Sequence, residues 1–378
     1  MSIKVVFIGC QNIFHEIGNG GMQCSRRNYE LLKNVEEIDL YTGIIVNEKV
    51  EKTEDSKIKY FLKTGTVIGN IIDTLNGRKN YSYAVEKEIL QYIKQIEPAI
   101  LYLDSSTLGK ILNKVPDDIY TICFFHNIET DYSYNKIKTE GMAYYLPYLI
   151  SRYNEKIVCR KANKVICLNK RDGNRLQQLY NRRPDLYLPI SFRDRFNKNR
   201  VHRKSNDKTL LFIGSLFPPN YYGILWFVQE VMSKLSDYKL IIVGKDFEKK
   251  RNELARCNVE IIGTVKDLDE YYYTYSSIVM PIQYGAGMKV KTAEAMMFGM
   301  TIFATDEALE GYDVIGIKGI TRCNSAEEYI TAINNYFSNE EQLRYQSDVR
   351  ELFSEKYETS SVKNKFGQFM DRIMDSTS

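Results

Sequence analysis

Short apolar runs alternate with segments whose apolar positions recur at helical spacing, and they do so along the whole chain. Ile3 to Gly9, Ile38 to Thr42, Ile58 to Leu62, Ile100 to Leu103, Tyr120 to Phe125 and Val165 to Leu168 read as buried strands. Helices are predicted between them from about Met22 to Leu32, Tyr83 to Ile96 and Asp172 to Tyr180, the last entered through Asn169. Apolar runs of this length suit strands covered on both faces, and strands that alternate with helices build a parallel sheet. The rhythm stops between Ser191 and Lys208, where the chain is polar, basic and without apolar period, as a linker would be. It resumes with strands at Leu210 to Gly214, Lys239 to Val243, Val259 to Ile262, Ser276 to Ile282 and Val314 to Ile317. The helices predicted here carry Trp226 and Phe227, Met288 to Phe298, Glu327 to Tyr336, Glu340 to Phe353 and Ser360 to Met374. In the last of these Val362, Phe366, Phe369 and Ile373 share one face. The expected organisation is two α/β domains, 1–190 and 209–355, joined by a linker at 191–208, with a closing helix within 356–378.

Candidate chemistry gathers where strands end. The strongest case is Pro281 to Thr305, in which a strand breaks at Tyr284-Gly285-Ala286-Gly287 and a helix follows from Met288. Glycines let the backbone approach a phosphate, and the free N–H groups of the helix's first turn point at it. Lys289 and Lys291 add positive charge, and Glu294, one turn beyond Lys291, offers a carboxylate to hydroxyls of the same ligand. Taken alone, the loop is also ordinary turn chemistry. Gly214-Ser215, Gly244-Lys245-Asp246 and Gly263-Thr264-Val265 end three other strands of the second half. In the first half, Gly18, Gly20 and Gly21 follow the first strand, with Arg26 and Arg27 expected to be solvated in the helix beyond. His126-Asn127-Ile128-Glu129 follows the strand Tyr120 to Phe125, where His126 suits either a loop hydrogen bond or a substrate contact and Glu129 suits a helix cap.

The run Gly285, Gly287, Lys289, Lys291, Glu294, Ala295, Met296, Gly299, Ala304 and Thr305 resembles the donor-binding segment of GT-B glycosyltransferases. Its pattern, Gly-x-Gly-x-(Arg/Lys)-x-Lys-x-x-Glu-Ala-Met-x-x-Gly, is similar to that of the retaining bacterial family 4 (group 1) enzymes. The resemblance implies two Rossmann-like domains facing a cleft, with the closing helix crossing back to the first domain. It also implies transfer of a sugar from a UDP- or GDP-linked donor to a hydroxyl of a glycan, polysaccharide or lipid-linked acceptor. On this reading Gly214, Ser215, Lys245, Val265, Tyr284, Gly285, Ala286, Gly287, Met288 and Glu294 hold the donor, with Glu294 on the ribose. Lys289 and Lys291 meet the diphosphate, His126 lines the cleft near the reacting sugar, and Gly20, Gly21 and Glu129 lie on the acceptor side. Two departures stand out. The family's upstream glutamate is replaced by Ala286, and the arginine and lysine that others carry after the strand ending at Gly214 are missing. A non-catalytic binding subunit or a nucleotide-sugar epimerase would use the same architecture.

Composition narrows the class further. Fifty-two basic and 48 acidic residues nearly balance, which gives no sign of a nucleic-acid partner. The strand at Ile3 leaves no room for a signal peptide and no apolar run is long enough to span a bilayer, so a cytoplasmic protein is expected. The segment Gly141 to Lys164, rich in tyrosine and basic at its end, reads either as a helix kinked at Pro147 or as a peripheral contact with a membrane. Seven cysteines without a C-x-x-C pair read as reduced thiols. Asp267-Leu268-Asp269 spells D-x-D, but it directly precedes an apparent helix and reads as a cap; no metal is expected.

Overall fold

Seven parallel strands organise the first half of the chain, in the order β3-β2-β1-β4-β5-β6-β7. The computed structural model describes residues 2–15, 20–48, 50, 55–200, 208–285, 287–338 and 346–377. The strands are β1 (Ile3–Gly9), β2 (Ile38–Val46), β3 (Ile58–Leu62), β4 (Ile100–Leu103), β5 (Tyr120–Phe125), β6 (Lys164–Cys167) and β7 (Leu186–Tyr187). They are joined through α1 (Gly20–Lys33), α2 (Val67–Leu75), α3 (Tyr83–Ile96), α4 (Glu129–Glu140), α5 (Tyr145–Lys161) and α6 (Lys170–Tyr180). Val5 to Ile8, Ile100 to Leu103 and Ile122 to Phe125 are fully buried, as the central strands of a sheet covered on both faces must be. Asn169 caps α6 by accepting from the Asp172 N–H at 2.9 Å.

The second unit repeats the plan with a six-stranded parallel sheet in the order β10-β9-β8-β11-β12-β13. Its strands are β8 (Thr209–Ile213), β9 (Lys239–Val243), β10 (Val259–Gly263), β11 (Ser277–Met280), β12 (Thr301–Ala304) and β13 (Ile320–Arg322). Its helices are α7 (Pro218–Glu230), α8 (Arg251–Leu254), α9 (Asp269–Thr274), α10 (Val290–Met297), α11 (Ala326–Phe337) and α12 (Ser347–Lys356). A final helix, α13 (Thr359–Thr377), begins here, but residues 363–378 belong to the first unit, which is Met1–Ile190 with Lys363–Ser378.

Several expectations change. Helices α2 and α4 were not predicted. Val314 to Ile317 is not a strand; a turn closes there from Val314 O to the Ile317 N–H, and the edge strand comes later at Ile320. Pro147 does not kink a helix but stands in the first turn of α5, where a missing N–H costs nothing. Residues 191–200 are packed onto the second unit rather than strung between domains. Phe192 and Phe196 join its core, Asp194 pairs with Arg350, and the Asn197 N–H donates to Tyr273 Oη at 2.8 Å. Gly18, Ala286, His202 and the rest of the basic stretch 201–207 lie outside the described residues.

Candidate functional site

The strand order of the second unit reverses between β8 and β11, and α/β sheets bind ligands at the carboxyl ends of strands at such a point. A cavity of about 350 Å³ opens there. Ile213, Phe217 and Asn220 line it from the β8 side, and Ile282, Tyr284, Gly285, Lys289, Lys291 and Thr292 from the β11 side. The loop backbone takes conformations that suit glycine: Gly287 has φ +71° and Gly285 lies near the extended limit at +159°. Deeper, the Gly244 backbone crosses so close to Gly214 that a Cβ on Gly244 would fall 1.6 Å from the Gly214 carbonyl oxygen.

Glu294 is held by three side chains. It is buried, and Lys291 Nζ reaches its Oε2 at 2.6 Å, one helical turn away. Tyr272 donates to the same oxygen at 3.2 Å, and Arg195 reaches Oε1 at 3.2 Å. Arg195 also holds the Asp269 carboxylate with Nε and Nη2, at 3.2 and 3.1 Å. Asp267 accepts from the Asp269 N–H at 2.9 Å and lies 3.6 Å from Arg200. The D-x-D carboxylates are therefore engaged by the start of α9 and by arginines. Lys289 donates to Gly287 O at 2.8 Å, pairs with Glu307, and stands 3.4 Å from Glu310. Glu307 also borders the glycine loop, its Oε1 3.3 Å from where a Cβ on Gly285 would be.

In the first unit the order reverses between β1 and β4, and a polar cluster sits at the ends of β4 and β5. His126 Nε2 lies 2.8 Å from the Asp104 carbonyl oxygen and 3.2 Å from its Oδ2, with Ser25 Oγ at 3.4 Å. Asn28 donates to Asp104 Oδ1 at 2.6 Å, while Nδ1 of His126 is buried and has no hydrogen-bond partner among the described residues. Burial opposes the imidazolium, but the Asp104 carboxylate and Cys24 outweigh it and hold His126 well above its ordinary pKa. Burial likewise opposes a Cys24 thiolate, yet Arg27 and His126 bring that thiol below its ordinary range. Arg26 and Arg27 are not simply solvated: Arg26 Nε donates to Ile13 O at 2.7 Å, and Arg27 bonds Pro189 O and lies over the Phe124 ring. Glu129 begins α4 and accepts from Lys79 Nζ at 2.6 Å, whereas the buried Glu155 carboxylate accepts from the Glu129 N–H at 2.6 Å and caps the helix.

Residues 207–339 match the family model of the glycosyl transferases group 1. The chain carries a group 1 glycosyltransferase domain. An uncharacterized glycosyltransferase of Haemophilus influenzae is 26% identical over 290 residues, which span 73% of this chain and 79% of that protein. Among solved structures, the lipopolysaccharide outer core galactosyltransferase WaaB matches with a TM-score of 0.66 at 15% identity, over 98% of this chain and 99% of that one. Anabaena HepE in complex with UDP matches with a TM-score of 0.62 at 12% identity, over 98% and 100%. At such identities these likenesses speak for the fold, which is GT-B.

Within the glycosyltransferase domain the structure brings together Tyr284, Gly285, Lys289 and Lys291 around one cavity, with Glu294 paired to Lys291 beside it. Gly287 and the half-buried Met288 belong to the same loop, and Gly214 with the exposed Ser215 ends β8. Lys245 and Val265 end β9 and β10 but do not line this cavity. Gly20 and Gly21 open α1. Sequence reasoning missed Arg195, Glu307, Asp104 and Glu155. Each acts on a partner far away along the chain, as Arg195 does on Glu294 across 99 positions. The one signal available for Arg195 was its place among phenylalanines, Phe192 and Phe196, inside an otherwise polar stretch.

Proposed function

We propose that this glycosyltransferase moves a sugar from a nucleoside diphosphate sugar, with UDP the favoured carrier, to a hydroxyl of a glycan or lipid-linked acceptor. The observation that carries this reading is the cavity at the switch point, where a glycine loop, the start of α10 and two lysines meet a buried carboxylate. The diphosphate would lie on the loop amides and the first turn of α10, with Lys289 and Lys291 beside it. Glu294, fixed from three sides, would accept from the ribose hydroxyls. Departure of the diphosphate concentrates negative charge on its oxygens, and donors already in place lower that barrier without reorganisation. Those groups would meet the charge without a metal, a reading supported by the engagement of the D-x-D carboxylates with Arg195 and Arg200. Glu307, next to Gly285, is the carboxylate that would face the donor sugar in place of the family's upstream glutamate. In the first unit His126, held beside Asp104, would serve the acceptor side. Retention of configuration follows the family resemblance, and WaaB, a lipopolysaccharide enzyme, supports a glycolipid acceptor.

Calorimetry with UDP, GDP, ADP and TDP, each with and without chelator, tests the reading. One nucleotide should bind, and equally well with chelator. Glu294→Ala should weaken that binding by about 1–3 kcal/mol, the range for a lost charged hydrogen bond. Absence of binding by every nucleotide, or unchanged affinity in the variant, would overturn it.

A further inference from the structure

Helix α2 is built inside out. No residue of it is buried, yet it is capped at both ends: Thr66 accepts from the Gly69 N–H at 3.1 Å, and Lys110 bonds the carbonyl of Asn76. Val67, Ile68, Ile71, Ile72 and Leu75 fall on one face, and all five are more than half exposed, from Ile71 at 52% to Val67 at 77%. Its polar side faces the protein, where Asp73 accepts from the Tyr83 N–H at 2.9 Å and from Arg78 at 3.5 Å. A water-facing helix normally shows the opposite arrangement, since each exposed aliphatic side chain forfeits the free energy of burial.

The neighbouring helix extends this surface. Gly77, just past α2, sits against the Tyr153 ring of α5. Tyr145, Leu149 and Tyr153 recur every four residues along α5 and are each nearly half exposed. Arg152, Lys156, Arg160 and Lys161 are exposed on the same helix, whose sole acid, Glu155, is turned inward and buried. We propose that α2 and the outer face of α5 dock the protein onto an anionic phospholipid surface. The five aliphatic side chains of α2 enter the boundary of the acyl region, the tyrosines of α5 lie at headgroup depth, and its cations meet lipid phosphates. At nine residues α2 is roughly 13 Å long, enough to lie in the interface and far too short to cross it.

Charge and area disfavour a second copy as the occupant. A two-fold contact would bring this basic face against itself. The strip of α2, roughly 13 Å by 10 Å, is also a small part of the ~800 Å² that each partner gives to a stable interface. The inference extends the proposed glycolipid acceptor to the surface that would present it, and its readout needs no nucleotide.

The test is co-sedimentation of the full chain with phosphatidylcholine vesicles, with and without phosphatidylglycerol, at low and at physiological salt. Light scattering of the same samples and a UDP thermal shift accompany it. Wild type should bind the anionic vesicles, less at higher salt. The double variant Ile68→Glu/Ile72→Glu should bind at least about ten-fold less, and Lys156→Ala roughly five-fold less. Both should keep the wild-type melting temperature. Failure of wild type to bind anionic vesicles, equal binding by the double variant, or a dimer that this variant splits would each overturn the proposal. Vesicle binding without any response to UDP would leave it standing and count against UDP as the carrier alone.

Discussion

Glu155 shows how one side chain ties position to pH. Its carboxylate is enclosed beneath the start of α4, and burial pushes its pKa up to about 7 despite hydrogen bonds from Thr130, Tyr180 and the Glu129 N–H. The folded protein therefore holds a proton there that the unfolded chain releases near pH 4.5, so this group's contribution falls as pH rises from about 4.5 to about 7. Glu155→Gln should flatten that decline, with a difference approaching about 3 kcal/mol between the ends of the window. Thermal melts of both proteins at pH 5 and pH 8 check it; parallel profiles would show that Glu155 is not the titrating group. Roles at this scale were legible where partners are close along the chain. The Lys291–Glu294 pair follows from helical spacing, but the Asp104–His126 pair joins the ends of two strands and needs the sheet order to be seen.

At the scale of elements, the central strands and most helices were written in apolar periodicity, and Tyr83–Ile96 and Tyr120–Phe125 run where the pattern put them. Helix α2 escaped because its apolar face meets no core, whereas the helices the pattern placed cover a face of a sheet. Val314 to Ile317 misled in the opposite sense: its apolar residues cover a turn at Gly316, whose φ of +78° no strand adopts. Helix α7 packs so tightly at the switch point that a Cβ on Gly223 would stand 2.3 Å from the Pro281 carbonyl oxygen. Gly223→Ala should lift the helix off the end of β11, lower stability by about 1–3 kcal/mol and weaken nucleotide binding with it. Denaturant titration and calorimetry on the variant measure the two effects. A stable variant with intact affinity would mean the helix can shift freely.

For the whole molecule, the alternation of strands and helices announced two α/β units, while the packing of residues 191–200 onto the second unit depended on contacts no pattern shows. The second unit, residues 191–362, is stitched shut where the chain arrives and leaves. Phe192 donates to Tyr357 O at 2.9 Å and accepts from the Thr359 N–H at 3.0 Å. Residues 191–362 expressed alone should therefore melt cooperatively and respond to the same nucleotide as the full chain. A fragment without a cooperative transition would show that the unit depends on the rest of the protein. The first unit is the one interrupted. Its last segment, with Phe366, Phe369, Met370 and Ile373 buried, is synthesised after the entire second unit. On a ribosome adding roughly 5–20 residues per second, the half begun first waits roughly ten to thirty seconds for its final helix. A premature stop that removes residues 363–378 would thus injure the amino-terminal half of the enzyme and spare the half that was made next to it.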